Sequence, residues 1–129
     1  LNYKREKKHL YTRVRVYIEP LSILSFLSPC LNGRSPMREK TIEAKLVKTV
    51  RSMGGLAPKF ISPGLDGMPD RIVLLKHGRL AFVEVKANGQ KPRPLQVRRK
   101  RQLEALGFSV YCLDDATQIG GILDEIQSS

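Results

Sequence analysis

The chain has 129 residues, with 23 Lys and Arg against 12 Asp and Glu, a formal net charge of +11. A hydrophobic share of 41% in a chain this short supports one small domain with one core. It argues against wholesale disorder, and no apolar run approaches the roughly 20 residues that span a bilayer. Cys30 and Cys112 lie far apart without metal-type spacing, which excludes a disulfide framework and a zinc site. Reduced thiols in a cytoplasmic compartment are the simple expectation, and the excess charge favours a polyanionic partner, most often nucleic acid.

The charge divides unevenly along the chain. Residues 1–36 hold seven basic and two acidic residues, a net of +5, and residues 37–129 hold 16 and 10, a net of +6. The front segment shows no clean element. Its basic start and short apolar run resemble a secretory signal with a lipoprotein-like Cys30, but Pro29 stands where such a signal needs a small residue. The segment reads instead as an N-terminal extension ahead of a natural start at Met37. A strand through Val14, Val16 and Ile18 is the open alternative.

From Met37 the pattern is regular. Ile42, Leu46, Val50 and Met53 recur at helical spacing, and Gly54 stops a helix over 37–53. A short strand is expected over 56–61, and residues 62–69 form a loop by composition. The β-rich runs 71–75 and 80–87 flank Lys76-His77-Gly78-Arg79, a hairpin signal. After a second loop, Leu95, Arg99, Leu103 and Leu106 share a helical face ended by Gly107, and a strand follows over 108–113. Asp115 and Gln118 make a capping box for a last helix with Ile119, Ile122, Leu123 and Ile126 on its apolar face. The fold class is α/β, in the order α-β-β-β-α-β-α, with a small mixed sheet flanked by helices.

Two stretches carry chemistry, Gly67-Met68-Pro69-Asp70 and Glu84-Val85-Lys86. Strand side chains alternate, so Glu84 and Lys86 share a face. A two-residue turn places Asp70 opposite Val85, on the wrong face. A three-residue loop, Lys76-His77-Gly78, sets Asp70 opposite Glu84, and Gly78 supplies the left-handed third position that loop requires. Two adjacent carboxylates resist ionising together unless a cation is shared. Oxygen ligands without nearby His or Cys suit Mg²⁺ or Mn²⁺. Lys86 then stands beside the reacting water or the developing charge. Glu43, on the first helix, is a candidate for a further carboxylate. Taken singly these motifs are ordinary: Glu-x-Lys on a strand is commonly a solvated ion pair, and Glu43 a surface residue paired with neighbouring cations. The case rests on their conjunction.

That conjunction resembles the PD-(D/E)xK nuclease superfamily and, within it, the virus-type replication-repair nuclease domain, VRR-NUC. The residues carrying it are Glu43-x-x-Leu46-Val47-x-x-Val50, Gly67-x-Pro69-Asp70, Phe82-Val83-Glu84-Val85-Lys86-Ala87, Gln96, and Leu103-x-x-x-Gly107. The resemblance implies a nuclease domain over 37–129. Asp70, Glu84 and the Val85 backbone carbonyl ligate Mg²⁺ or Mn²⁺, Lys86 assists the water, and Glu43 and Gln96 complete the site. Arg99 departs from many relatives, which carry an aromatic residue there. Stand-alone phage versions of the domain imply a homodimer that cuts branched DNA, Holliday junctions above all. A flap or linear-duplex nuclease, an RNA nuclease and a non-catalytic DNA-binding module are the alternatives, because family does not determine substrate.

Lys91, Arg93, Arg98, Arg99, Lys100 and Arg101 put six cations into eleven residues without an acid. Beside a phosphate-cleaving centre they read as a DNA-backbone surface, though a solvated helix face gives the same run. Aromatic residues are only 6% of the chain, with no Trp, which argues against base stacking as the main source of affinity. The last helix is one candidate dimer interface, its apolar face being large for one small sheet to cover.

Overall fold

A computed structural model describes residues 36–129. The expected extension and its alternative strand through Val14, Val16 and Ile18 lie outside the described residues, except for Pro36. Helix α1 (Glu39–Ser52) buries Ile42, Leu46 and Val50, spaced one turn apart, as the periodicity requires. Strands β1 (Arg71–Leu75) and β2 (Arg79–Val85) form an antiparallel hairpin. Helix α2 (Pro94–Ala105) then crosses to β3 (Ser109–Leu113), which pairs parallel to β2. Helix α3 (Ile119–Ser128) closes the chain. Among the described residues no helix is long and apolar enough to cross a membrane.

The sheet is mixed, in the order β1-β2-β3. Its strand alternation sends Val73, Leu75, Ala81, Val83, Val85 and Leu113 into the main core with α1 and α3. The opposite face carries a smaller cluster of Phe82, Leu103 and Val110, flanked by Phe60, Met68 and Ile72. Phe82 stacks edge-to-face with Phe60 and Phe108, at centroid distances of 5.9 and 5.8 Å.

The hairpin has the three-residue loop. Arg71 pairs with Val83 and Leu75 with Arg79, with Lys76–Gly78 as the connection. Gly78 adopts φ 71°, the left-handed conformation the loop needs. His77 also lies there, at φ 63°, which the sequence does not announce and which is strained for a side chain with a Cβ.

Three expectations are corrected. Residues 56–61 form no continuous strand and make only two isolated bridges, Leu56 to Leu74 and Lys59 to Arg71. Pro58 has no N–H to donate, so no continuous ladder can run through it, although its carbonyl accepts from Ile72 N–H at 3.2 Å. The inward face of α2 is not Leu95, Arg99, Leu103 and Leu106: Leu95 is 43% exposed and Leu106 73%, while Gln96 and Leu103 are buried. The second sheet face is small and ends in acids, so the helix turns a polar residue toward it. Finally, α3 has no apolar face to spare. Ile119, Ile122, Leu123 and Ile126 are all at most 4% exposed within one chain, so no unpartnered apolar face on this helix argues for a dimer interface.

The cap before α3 is also displaced from the expected box. Asp115 accepts the Thr117 N–H and hydroxyl, both at 2.8 Å, and Gln118 Oε1 accepts the Asp114 N–H at 3.3 Å. The two Thr117 hydrogen bonds, led by the N–H, hold the Asp115 carboxyl below the usual carboxylate range.

Candidate active site

The β1–β2 register continues one step to set Asp70 opposite Glu84, the arrangement that the three-residue loop requires. Lys86 N–H donates to the Leu113 carbonyl, so Val85 turns its own N–H to the other side. There it donates to Asp70 Oδ2 at 3.2 Å. A strand residue points its N–H and C=O to the same side, so the Val85 carbonyl also faces away from β3.

Glu84 is 5% exposed and Lys86 Nζ stands 2.5 Å from its Oε1. Gln96 Nε2 also donates to Oε1. Gln96 can present no other atom, because its Oε1 accepts the Arg93 N–H at 2.9 Å. This ties the first turn of α2, opened by Pro94, to the β2 carboxylate. Glu84 Oε2 is buried without a hydrogen-bond partner. A bare buried carboxylate oxygen is costly, and the site's chemistry, two carboxylates and a cation-free oxygen, fits a hard divalent ion. Burial pushes the Glu84 carboxyl above its usual range, with the Asp70 charge adding to the rise and Lys86 opposing it.

Glu43 is not brought to this cluster. Its Oε1 accepts from Arg71 Nε at 2.9 Å, with Lys59 Nζ at 4.0 Å, and Arg71 Nη1 donates to the Ala57 carbonyl at 2.6 Å. Strand alternation explains the separation: Arg71 faces α1, whereas Asp70 faces α2. Among the described residues no group of three or more His, Cys, Asp or Glu could hold a metal ion. Arg71 is the residue that the sequence reading overlooked. Its signal was a cation on the inward side of an apolar strand, which demands a carboxylate partner.

The basic run is divided by its helix. Lys91, Arg93, Arg98 and Arg101 are exposed. Arg98 and Arg101 border a cleft of about 580 Å³ with Pro92, Pro94, Val97 and Gln102. That cleft lies on the outer side of α2, roughly 140–200° round the helix from Gln96. Lys100 sits 3.7 Å from Glu104. Arg99 is engaged by the loop before β1, donating through Nε and Nη2 to the Asp66 carbonyl at 3.1 and 3.0 Å. Cys112 is paired in register with Glu84, and burial pushes its thiol up to about 11. It is a poor thiolate at neutral pH.

No protein-family model matches the chain. Over 78 residues, 60% of this chain and 84% of the relative, it is 53% identical to "Putative nuclease p44" of Acyrthosiphon pisum secondary endosymbiont phage 1. It also superposes on a solved structure described as a VRR_NUC domain, with a TM-score of 0.64 and 29% identity. That match covers 67% of this chain and 94% of the other.

Proposed function

The chain belongs to the VRR-NUC family, and on that premise we propose that it is a metal-dependent DNA endonuclease centred on Asp70, Glu84 and Lys86. One observation carries the reading: Glu84 faces Asp70 and keeps one buried oxygen, Oε2, without a partner. Asp70, Glu84 and the Val85 carbonyl would hold Mg²⁺ or Mn²⁺. When bound, such an ion supplies Lewis acidity toward the scissile phosphate and makes water a better nucleophile.

The chain's own residues do the rest. Gln96 fixes Glu84 Oε1, which leaves Oε2 as the oxygen free to bind. Lys86, on the same strand face as Glu84, orients a water or stabilises charge developing on a phosphate oxygen. Glu43 acts through its pair with Arg71 and holds α1 to the strand that follows Asp70. A non-catalytic DNA-binding module has no need of opposed carboxylates, whose mutual repulsion weakens the fold.

The finer reading is cleavage of branched DNA, with four-way junctions as the leading substrate, by a symmetric homodimer. Two strands must be cut, and a two-fold pair presents one site to each. The exposed cations Lys91, Arg93, Arg98 and Arg101 suit backbone contact over base reading. The deciding assay offers matched junction, flap and linear-duplex DNA with Mg²⁺ or Mn²⁺. Wild type should cut the junction, while Glu84→Ala and Lys86→Ala should bind it at low salt without cutting. Failure to cut any substrate with either metal leaves the binding-module alternative. Sedimentation at assay concentration tests the dimer.

A further inference from the structure

We propose that Arg99 is a positioning residue for the Asp70 carboxylate, acting through the loop 62–69, and that its main role is not contact with DNA. The inference deepens the nuclease reading and rests on it. Arg99 places two N–H groups on one carbonyl oxygen, that of Asp66, at 3.1 and 3.0 Å, and its Nη1 on Gln102 Oε1 at 2.5 Å. Most of the guanidinium's donors are thereby spent inside the domain.

The loop has little else to hold it. Its own hydrogen bond, Leu65 N–H to the Ser62 carbonyl at 3.3 Å, is internal. Among the described residues Arg99 is the one side chain from outside that bonds to residues 62–68. Gly67, next to the clamped carbonyl, lies against the first turn of α2 in a left-handed conformation, φ +80°. A Cβ there would come within 2.8 Å of Leu95 Cγ and 2.9 Å of the Leu95 carbonyl oxygen. Only Met68, packed beside the Phe82 cluster, and buried Pro69 separate this contact from Asp70. Proline's restricted φ makes that link short and stiff, so a shift at Asp66 reaches Asp70.

Gln96 and Arg99 are neighbours on α2, one turn apart. Gln96 holds Glu84 directly, and Arg99 holds the loop that delivers Asp70. A single helix thus sets the separation of the two carboxylates that would share the metal.

The test is calorimetric titration of Mn²⁺ into the DNA-free protein, together with the salt dependence of junction binding without metal, for wild type, Arg99→Ala, Arg99→Lys and Gly67→Ala. Loss of an outer-sphere support typically weakens metal affinity by about 10-fold or more, and that is expected for Arg99→Ala. Arg99→Lys should lose nearly as much although it keeps the charge, because an ammonium cannot make the fork. Gly67→Ala should weaken Mn²⁺ as well, with no charge changed. The log–log salt slope should match wild type in all three. Unchanged Mn²⁺ affinity in Arg99→Ala or Gly67→Ala, or a salt slope shallower by about 0.9 in Arg99→Ala with Mn²⁺ binding intact, overturns the inference alone. A wild type that binds no Mn²⁺ overturns the metal reading, and the inference with it.

Discussion

Gln96 donates its side-chain N–H to Glu84 Oε1 because its own oxygen is already taken by the Arg93 N–H at the start of α2. The helix cap and the acidic centre therefore share one side chain, and substitutions there can separate two roles. Gln96→Glu keeps an acceptor for the Arg93 N–H but presents an anion, not a donor, to Glu84. It should retain the fold while lowering Mn²⁺ affinity and cleavage by about 10- to 100-fold. Gln96→Ala loses the cap as well and should cost about 1 kcal/mol of stability by urea unfolding.

The Glu84 carboxyl is raised chiefly by burial, which gives a signed dependence on pH. Below the unfolded value of 4.5 the group is neutral in both states. As pH rises through the folded value, the native state must ionise a buried group and stability falls. Without metal, the stability of wild type relative to Glu84→Gln should therefore decline over that window. Mn²⁺ should reverse the trend in wild type and leave the variant unmoved. Urea titrations across pH 4–8, with and without Mn²⁺, measure both effects. Cleavage at limiting metal should fall on acidification above the pH at which an ordinary Glu protonates.

Glu43 offers the converse case. Its carboxylate is taken by Arg71, and both side chains are largely covered, at 19% and 13% exposure. Glu43→Ala should destabilise the domain by roughly 1–3 kcal/mol, since it leaves Arg71 half-buried with one partner fewer. Mn²⁺ affinity should stay within about twofold, because the Glu43 carboxylate is held on Arg71 and not at the Asp70–Glu84 pair. A tenfold loss of Mn²⁺ affinity without loss of stability would show that Glu43 joins the metal site.

DNA affinity should follow the cations left open to solvent. With Lys91, Arg93, Arg98 and Arg101 exposed, and Arg99 and Lys100 engaged internally, about four phosphates are neutralised. The log–log salt slope on duplex arms is then about −3.6, shallower than the −5 or so that all six cations would give. Fluorescence anisotropy between 50 and 200 mM salt distinguishes the two. A double Arg98→Ala and Arg101→Ala variant should lower the slope by about 1.8 without changing Mn²⁺ binding.

What the sequence determined by itself is the local geometry. Alternation along a strand and the length of a loop closed by Gly78 depend only on neighbouring residues. They were enough to predict that Asp70 faces Glu84, with Lys86 on the same side. The stop of α1 at Gly54, which takes φ 76°, was legible for the same reason. The roll of α2 on the sheet was not, because it is settled by competition among distant side chains for a limited buried surface. That competition turned Gln96 inward and left Leu95 and Leu106 outside. It also used the whole apolar face of α3 within one chain. Only the tertiary structure placed Arg71 across from Glu43 and Arg99 on the Asp66 carbonyl, since each contact joins residues about 30 positions apart. The opening excess of charge is sorted by the same means: a cation found a partner inside the fold or stayed in water according to the surface it faced.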